Sequence, residues 1–262
     1  MPDANGPWLA VPPLQLASQF SREALFPSEL GTGRIAGMTI DGYEVSARLY
    51  DVVVEPLNAP LRDAARRFHP VSPGSTVLDL GCGTGASLAD YRDSGCTVIG
   101  ADPSPAMLQQ ARSRLGPKVD VRLIEGDVVP FDDDCADLVI VSLVLHSVDR
   151  ATGVKLLREA ARVLSPGGTI LVTDFGTDDL RFPRGWLTRG LTALLELAAG
   201  PRHFLNGVAY LRAGGIRSLA NAAGLAVTAT RPTAGGSVVI AALRPPGANP
   251  PERGAGATRP QG

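Results

Sequence analysis

Only three cysteines occur in the 262 residues, Cys82, Cys96 and Cys135, and they lack the close spacing of a metal site. An odd, scattered set argues against a disulfide framework and fits a reducing compartment, so a cytoplasmic location is expected. No apolar run is long enough to cross a bilayer, and Pro12 and Pro13 interrupt the first one. No basic stretch followed by an apolar core opens the sequence, so neither a signal peptide nor stable membrane insertion is expected. Charge of one sign is missing as well: 25 basic residues against 26 acidic leave a net charge of −1. That balance offers no cationic face for a nucleic-acid partner. Of the basic residues 23 are arginines, which matches a compositional bias in a chain rich in Ala, Gly and Pro. No internal repeat is visible. What remains, 44% hydrophobic and 19% charged residues, is the composition of a globular protein with room for a sizeable core.

The pattern of apolar residues changes period along the chain. Short, often β-branched runs at 76–80, 97–101, 119–124, 138–142 and 169–173 read as buried strands. Helical patterns separate them at 87–92, 105–115 and 151–164. Strands alternating with helices predict an α/β fold with a mostly parallel sheet covered on both faces, and ligands bind beyond the carboxyl ends of such strands. Past the fifth strand, residues 181–199 and 208–223 read as two helices, followed by strands at 226–231 and 237–243. The short link at 232–236 predicts a hairpin, so the last strand runs antiparallel. The expected organisation is a loose N-terminal segment (1–13), an N-terminal helical cover (14–71), a main domain (72–243) with a helical insertion (176–224), and a disordered tail (244–262). The glycine-rich loop at 31–42 finds no place in this scheme.

The most informative stretch is 77–85, Val-Leu-Asp-Leu-Gly-Cys-Gly-Thr-Gly. An apolar strand ends beside an acid, and Gly81, Gly83 and Gly85 follow before a helix begins near Ala86. Three alternate glycines weaken a chain unless the backbone must turn sharply and approach a ligand closely. The usual dinucleotide fingerprint is G-x-G-x-x-G, whereas here the spacing is G-x-G-x-G with Asp79 two residues upstream. A carboxylate at that turn favours a cationic ligand over a pyrophosphate, which points to S-adenosyl-L-methionine. Asp102 ends the second strand, where a carboxylate can accept from both ribose hydroxyls of an adenosine, with capping of the following helix as the competing role. Asp127 at a strand end, with the Val128 N–H, suits an adenine edge. The acidic run 132–134 reads as a solvated turn, and no metal centre is expected.

Residues 77–85, Gly100-Ala101-Asp102, Gly126-Asp127, the strand at 137–142 and the segment 157–175 occur in an order that resembles the class I S-adenosylmethionine-dependent methyltransferases. The resemblance covers roughly 72–174 and implies a Rossmann-like seven-stranded sheet with an antiparallel last strand. More loosely, Leu49-Tyr50-Asp51 with 56–62, and 200–204 with Ala223-Gly224-Leu225, resemble the quinone and phospholipid methyltransferase subgroup. Carried over by position, the family implies that Asp79, Gly81, Gly83 and Gly85 hold the methionine end of the cofactor. It places Asp102 on the ribose, with Pro103 beside it, Asp127 and Val128 on the adenine, and Ser142 near the sulfonium; Met107 suits the adenine face, with a buried helix position as the competing reading. S-adenosylhomocysteine would be the product.

A base is required only if the acceptor must lose a proton. His146, just beyond the fourth strand, is the leading candidate, since an imidazole titrating at about 6.5 suits proton removal at neutral pH. A histidine hydrogen-bonded beneath the cofactor is the competing reading. His203 and Tyr50 are further candidates for contact with the acceptor or cofactor. The stripe Phe182, Trp186, Leu187, Leu191, Leu194, Leu195, Phe204 and Tyr210 reads first as core, and it also suits an apolar pocket. The expected function is methyl transfer to a small, fairly hydrophobic acceptor such as a quinone-like, aromatic or secondary metabolite, with a homodimer compatible. Two alternatives stay open: an enzyme that keeps its cofactor intact while promoting a rearrangement or cyclisation, and an NAD(P)-dependent oxidoreductase.

Overall fold

The computed structural model describes residues 55–177 and 180–247. The segment 1–13, the loop at 31–42, Tyr50 and the tail beyond 247 lie outside them. In chain order the elements are α1 (Glu55–Phe68), β1 (Thr76–Leu80), α2 (Ala86–Arg92), β2 (Thr97–Asp102), α3 (Pro105–Leu115), β3 (Asp120–Leu123), β4 (Ala136–Ser142), α4 (Arg150–Arg162), β5 (Leu164–Phe175), α5 (Arg184–Ala199), α6 (Pro201–Arg212), α7 (Gly215–Ala223), β6 (Ala226–Thr233) and β7 (Val238–Arg244).

The seven strands form one sheet in the order β3-β2-β1-β4-β5-β7-β6. Strands β1 to β5 pair in parallel, and β7 is inserted antiparallel between β5 and β6. This is the α/β Rossmann-like arrangement expected above, including the closing hairpin. Strand β1 lies inside the sheet between β2 and β4 and has no exposed face: Val77, Leu78 and Leu80 are all fully buried. Reversal of strand order on either side of it opens a crevice at its carboxyl end, where the glycine turn begins.

Two apolar layers flank the sheet. On one face α1, α2 and α3 bury Ala65, Leu88, Tyr91, Leu108, Ala111 and Leu115 against Val77, Val98 and Ile140. On the other, α4 and α7 bury Leu157, Ala160, Ile216 and Leu219 against Val139, Val141 and Ile170. Each fully buried leucine contributes about 1.5–3 kcal/mol through removal of apolar surface from water. The helix starts follow local chemistry. Ser104 accepts from the Met107 N–H at the head of α3, with Pro105 in the first turn, and Asp149 accepts from the Thr152 N–H at the head of α4.

Three features depart from the sequence reading. Residues 201–223 form two helices, α6 and α7, because Gly214 and Gly215 adopt φ of 95° and 58° and break the run read as one. Strand β5 begins at Leu164, which pairs with Ala136 before the register jumps to Leu138 opposite Thr169, so the Ser-Pro-Gly-Gly between them bulges out of the ladder. The apolar stripe on α5 is not core among the described residues: Trp186, Leu187 and Leu194 are 63%, 70% and 63% exposed. Helix α5 packs on α6 and the turn before β7 rather than on the sheet, so only one of its sides is covered.

Candidate cofactor and acceptor site

At the end of β1 the chain turns through Gly81 and Gly83, with φ of 80° and 52°. The N–H groups of Gly81 and Cys82 both donate to the Ala101 carbonyl, at 2.8 and 3.1 Å, which fixes the turn to the neighbouring strand. A Cβ at Gly81 would lie 2.6 Å from Val144 Cγ2, so that glycine is needed for packing against the loop after β4. Gly83 is different: a Cβ there would meet nothing within 4 Å among the described residues. Its missing side chain leaves one side of the turn open for a ligand to approach the backbone.

Two acids border this turn. Asp79 is only 3% exposed, and its Oδ1 has no hydrogen-bond partner among the described residues. Burial raises its pKa to about 7, the Asp102 charge adds to the rise, and the Arg62 guanidinium opposes it. Asp102 is also shifted upward by burial, with the Ser104 and Gly83 N–H groups holding the shift back. Those donors reach its two oxygens separately, Ser104 N to Oδ1 at 2.8 Å and Gly83 N to Oδ2 at 2.9 Å. Each oxygen keeps a second lone pair, so Asp102 can still accept from a pair of vicinal hydroxyls. An orphaned, buried carboxylate oxygen beside a second acid suits an ammonium group, and it repels a pyrophosphate.

The remaining predicted cofactor positions line the same edge of the sheet with less shelter. Met107 and Ser142 are half-buried, and Pro103 is exposed. Asp127 is at the surface, where it pairs with Lys155 Nζ, and Val128 is 63% exposed.

A second polar cluster lies beyond β4 and β5. Leu143 takes φ of 56°, a left-handed conformation that redirects the chain as it leaves β4. The loop then folds onto Asp174, which is fully buried at the end of β5. Asp174 Oδ2 accepts from the N–H groups of Leu145 and His146 at 2.8 and 3.3 Å. Its Oδ1 accepts from Phe175 N–H and faces His146 Nδ1, each at 2.7 Å. The imidazole stacks on the Phe175 ring with centroids 3.9 Å apart. From the cover helices, Glu196 on α5 reaches His146 Nε2 at 3.5 Å and His203 Nε2, on α6, at 3.2 Å.

Burial alone would depress the His146 pKa, but the Asp174 and Glu196 carboxylates outweigh it and raise the value to about 10. The imidazole is therefore charged at neutral pH, unlike the group titrating near 6.5 that the sequence led us to expect. His203 shifts the other way because burial dominates its contact with Glu196. Neither Asp174 nor Glu196 was singled out from the sequence. Asp174 carried a usable signal, an acid at a strand's carboxyl end like Asp79 and Asp102. Glu196, the one acid in α5, carried only its oddity.

Comparison with known proteins bears on this arrangement. Residues 78–172 match the family model described as a methyltransferase domain. A demethylmenaquinone methyltransferase of Tropheryma whipplei is 41% identical over 120 residues, covering 45% of this chain and 49% of that protein. One from Mycobacterium bovis is 41% identical over 118 residues, covering 44% of this chain and 47% of its own length. The chain thus spans about half the length of the curated relatives it matches. Among solved structures, mitomycin 7-O-methyltransferase MmcR superimposes with a TM-score of 0.57 at 23% identity, covering 76% of this chain and 57% of that one, a likeness of fold. Among the described residues no helix is long and apolar enough to cross a membrane. The glycine turn and the acids at the ends of β1 and β2 thus lie in the segment, 78–172, that is similar to a methyltransferase domain, on a sheet of the Rossmann-like order.

Proposed function

We propose that this chain transfers a methyl group from S-adenosyl-L-methionine to a small, fairly hydrophobic acceptor bearing an ionisable ring oxygen, of the quinone-like kind. The observation that carries the reading is the Asp79 Oδ1, buried without a hydrogen-bond partner among the described residues and two residues before a glycine turn in which Gly83 leaves the backbone open. Bound there, the cofactor supplies a methyl group already activated by a sulfonium. Asp79 would hold its ammonium group and Asp102, followed by Pro103, its ribose hydroxyls, with the open flank of Gly83 against the methionine end. Met107, Asp127 and Val128 would border the adenine, and Ser142 the sulfonium. Asp127 must then share its carboxylate with Lys155. Domain boundaries at 72 and 243, with the helices of 176–224 as cover, complete the proposal.

The protein's part in such a transfer is to align the acceptor with the methyl carbon and keep water out, which in well-oriented systems is worth up to about 7–11 kcal/mol. On the acceptor side, His146 carries a proton at neutral pH, so its role is to hold negative charge on an acceptor oxygen. It can accept a proton only as the pH approaches about 10. His203 and Glu196 complete that wall. The names of the relatives, demethylmenaquinone methyltransferases, support a quinone-like acceptor.

The test is incubation with methyl-labelled cofactor and a reduced demethylmenaquinone, followed by mass analysis of the extracted ring. A label in the product with a gain of one methyl group is the expected result. Heat on titration with S-adenosylhomocysteine but no labelled product would overturn the acceptor, and no heat would overturn the cofactor as well.

A further inference from the structure

The geometry points to a site for one divalent transition-metal ion of the Zn²⁺ class, held by His146 Nε2, His203 Nε2 and the Glu196 carboxylate. One donor atom from each residue lies within 4.8 Å of the other two. The two contacts through Glu196, 3.5 and 3.2 Å, are awkward as hydrogen bonds. The first is too long to be a good one, and Glu196 Oε2 is buried without any hydrogen-bond partner despite facing His203. Each distance, the first to Oε1 and the second to Oε2, lies near the separation of about 3.4 Å between neighbouring ligand atoms in a tetrahedron with bonds of 2.0–2.2 Å. Closing the remaining edge, between the two imidazoles, requires only that the half-exposed His203 swing inward.

The surroundings match what a metal-binding histidine needs. His146 directs its other nitrogen, Nδ1, to Asp174 at 2.7 Å, and that carboxylate is itself anchored by three backbone N–H groups. A carboxylate behind a ligating imidazole fixes the ring and raises its basicity. Charge points the same way. Once an ion displaces the His146 proton, two carboxylates and two neutral imidazoles sum to −2, which one divalent ion cancels inside a low-dielectric cover. Three protein donors leave a fourth position open, the arrangement of catalytic rather than structural sites. An ion there would replace the His146 proton as the positive centre facing an acceptor oxygen. His146 lies 50 residues before Glu196, and Glu196 and His203 sit on separate helices, so no metal-ligand spacing announces them and a metal-free chain was expected. The site stands on these side chains alone and does not depend on methyl transfer.

The experiment uses the full chain without an affinity tag, stripped with chelator and titrated with Co²⁺ alone, then with Zn²⁺ as competitor. Expected are the visible bands of four-coordinate Co²⁺, a stoichiometry near one, and displacement by Zn²⁺. Asp174→Asn, which keeps all three ligands, should weaken binding about 10- to 100-fold. Glu196→Gln and His203→Ala should abolish the bands while S-adenosylhomocysteine still gives heat on binding. Absence of Co²⁺ bands in the unmodified chain overturns the site, and so do bands that survive in both Glu196→Gln and His203→Ala.

Discussion

Replacing Asp79 by asparagine separates stability from binding at a single atom. The carboxylate is buried with Oδ1 unpartnered, and its pKa of about 7 stands against an ordinary 3.8. In the unfolded chain it ionises near the ordinary value, so between pH 3.8 and 7 the folded protein binds the extra proton. Stability must therefore fall as pH rises through that window, and the full cost is present above it. At roughly 1.4 kcal/mol per pH unit the cost is about 4 kcal/mol for the ligand-free protein. An amide of the same shape carries no charge to desolvate, but it brings polar atoms that also need partners, which cost about 1–3 kcal/mol when buried alone. The net expectation for Asp79→Asn at pH 7 is a gain of about 1–3 kcal/mol, or about 2–10 °C in melting temperature for a chain of this size. The same change removes a charge-assisted hydrogen bond to the ligand's ammonium group, about 1.5–3 kcal/mol, so affinity should drop about 10- to 150-fold. Thermal melts of the ligand-free protein at pH 4.5 and 7.5, with calorimetric titration of S-adenosylhomocysteine, measure both. The variant should be nearly flat across that range while the parent loses stability. A variant that melts lower than the parent at pH 7.5, or binds the ligand equally well, refutes the assignment.

Further outcomes follow from the same geometry. Gly81→Ala drives a methyl group against Val144 at a positive φ and should destabilise the fold by about 1–3 kcal/mol, measured by urea unfolding. Gly83→Ala meets open space, so the fold should lose only about 1 kcal/mol from backbone strain, and calorimetry should show at least tenfold weaker cofactor binding. Asp102→Ala leaves the Gly83 and Ser104 N–H groups without their acceptor and should weaken cofactor binding about 100-fold in the same titration. His146 has a folded pKa raised to about 10 in the metal-free protein, so its contribution is complete below about 6.5 and is lost as pH rises through 10. The stability gap between the parent and His146→Asn, taken from urea curves at pH 6, 8 and 10, should shrink across that series, and a constant gap would contradict the pairing with Asp174 and Glu196.

Much of the sheet was legible because buried parallel strands leave continuous β-branched runs and their helices leave a clear amphipathic period. The glycine turn was legible too, since its spacing beside Asp79 has few other uses. Legibility failed where a tertiary relation decides the outcome. The break at Gly214 and Gly215 is a matter of two positive φ values inside an otherwise helical pattern. The outward face of α5 reflects an absence of sheet beneath it, which periodicity does not encode. Glu196 became meaningful only when an imidazole from the next helix and one from the loop after β4 closed around it. The charge state of His146 was misjudged for the same reason, because both carboxylates that set it come from other elements.

Asp174 ties a hairpin-like corner of the molecule into one rigid piece: four donors, three from the main chain and one from a ring, converge on a single sealed side chain. A corner clamped in that way cannot reshape itself to suit one guest or another. Whatever tolerance this protein has for different partners must then reside in the helices above it, and any shift there carries Glu196 and His203 along with it.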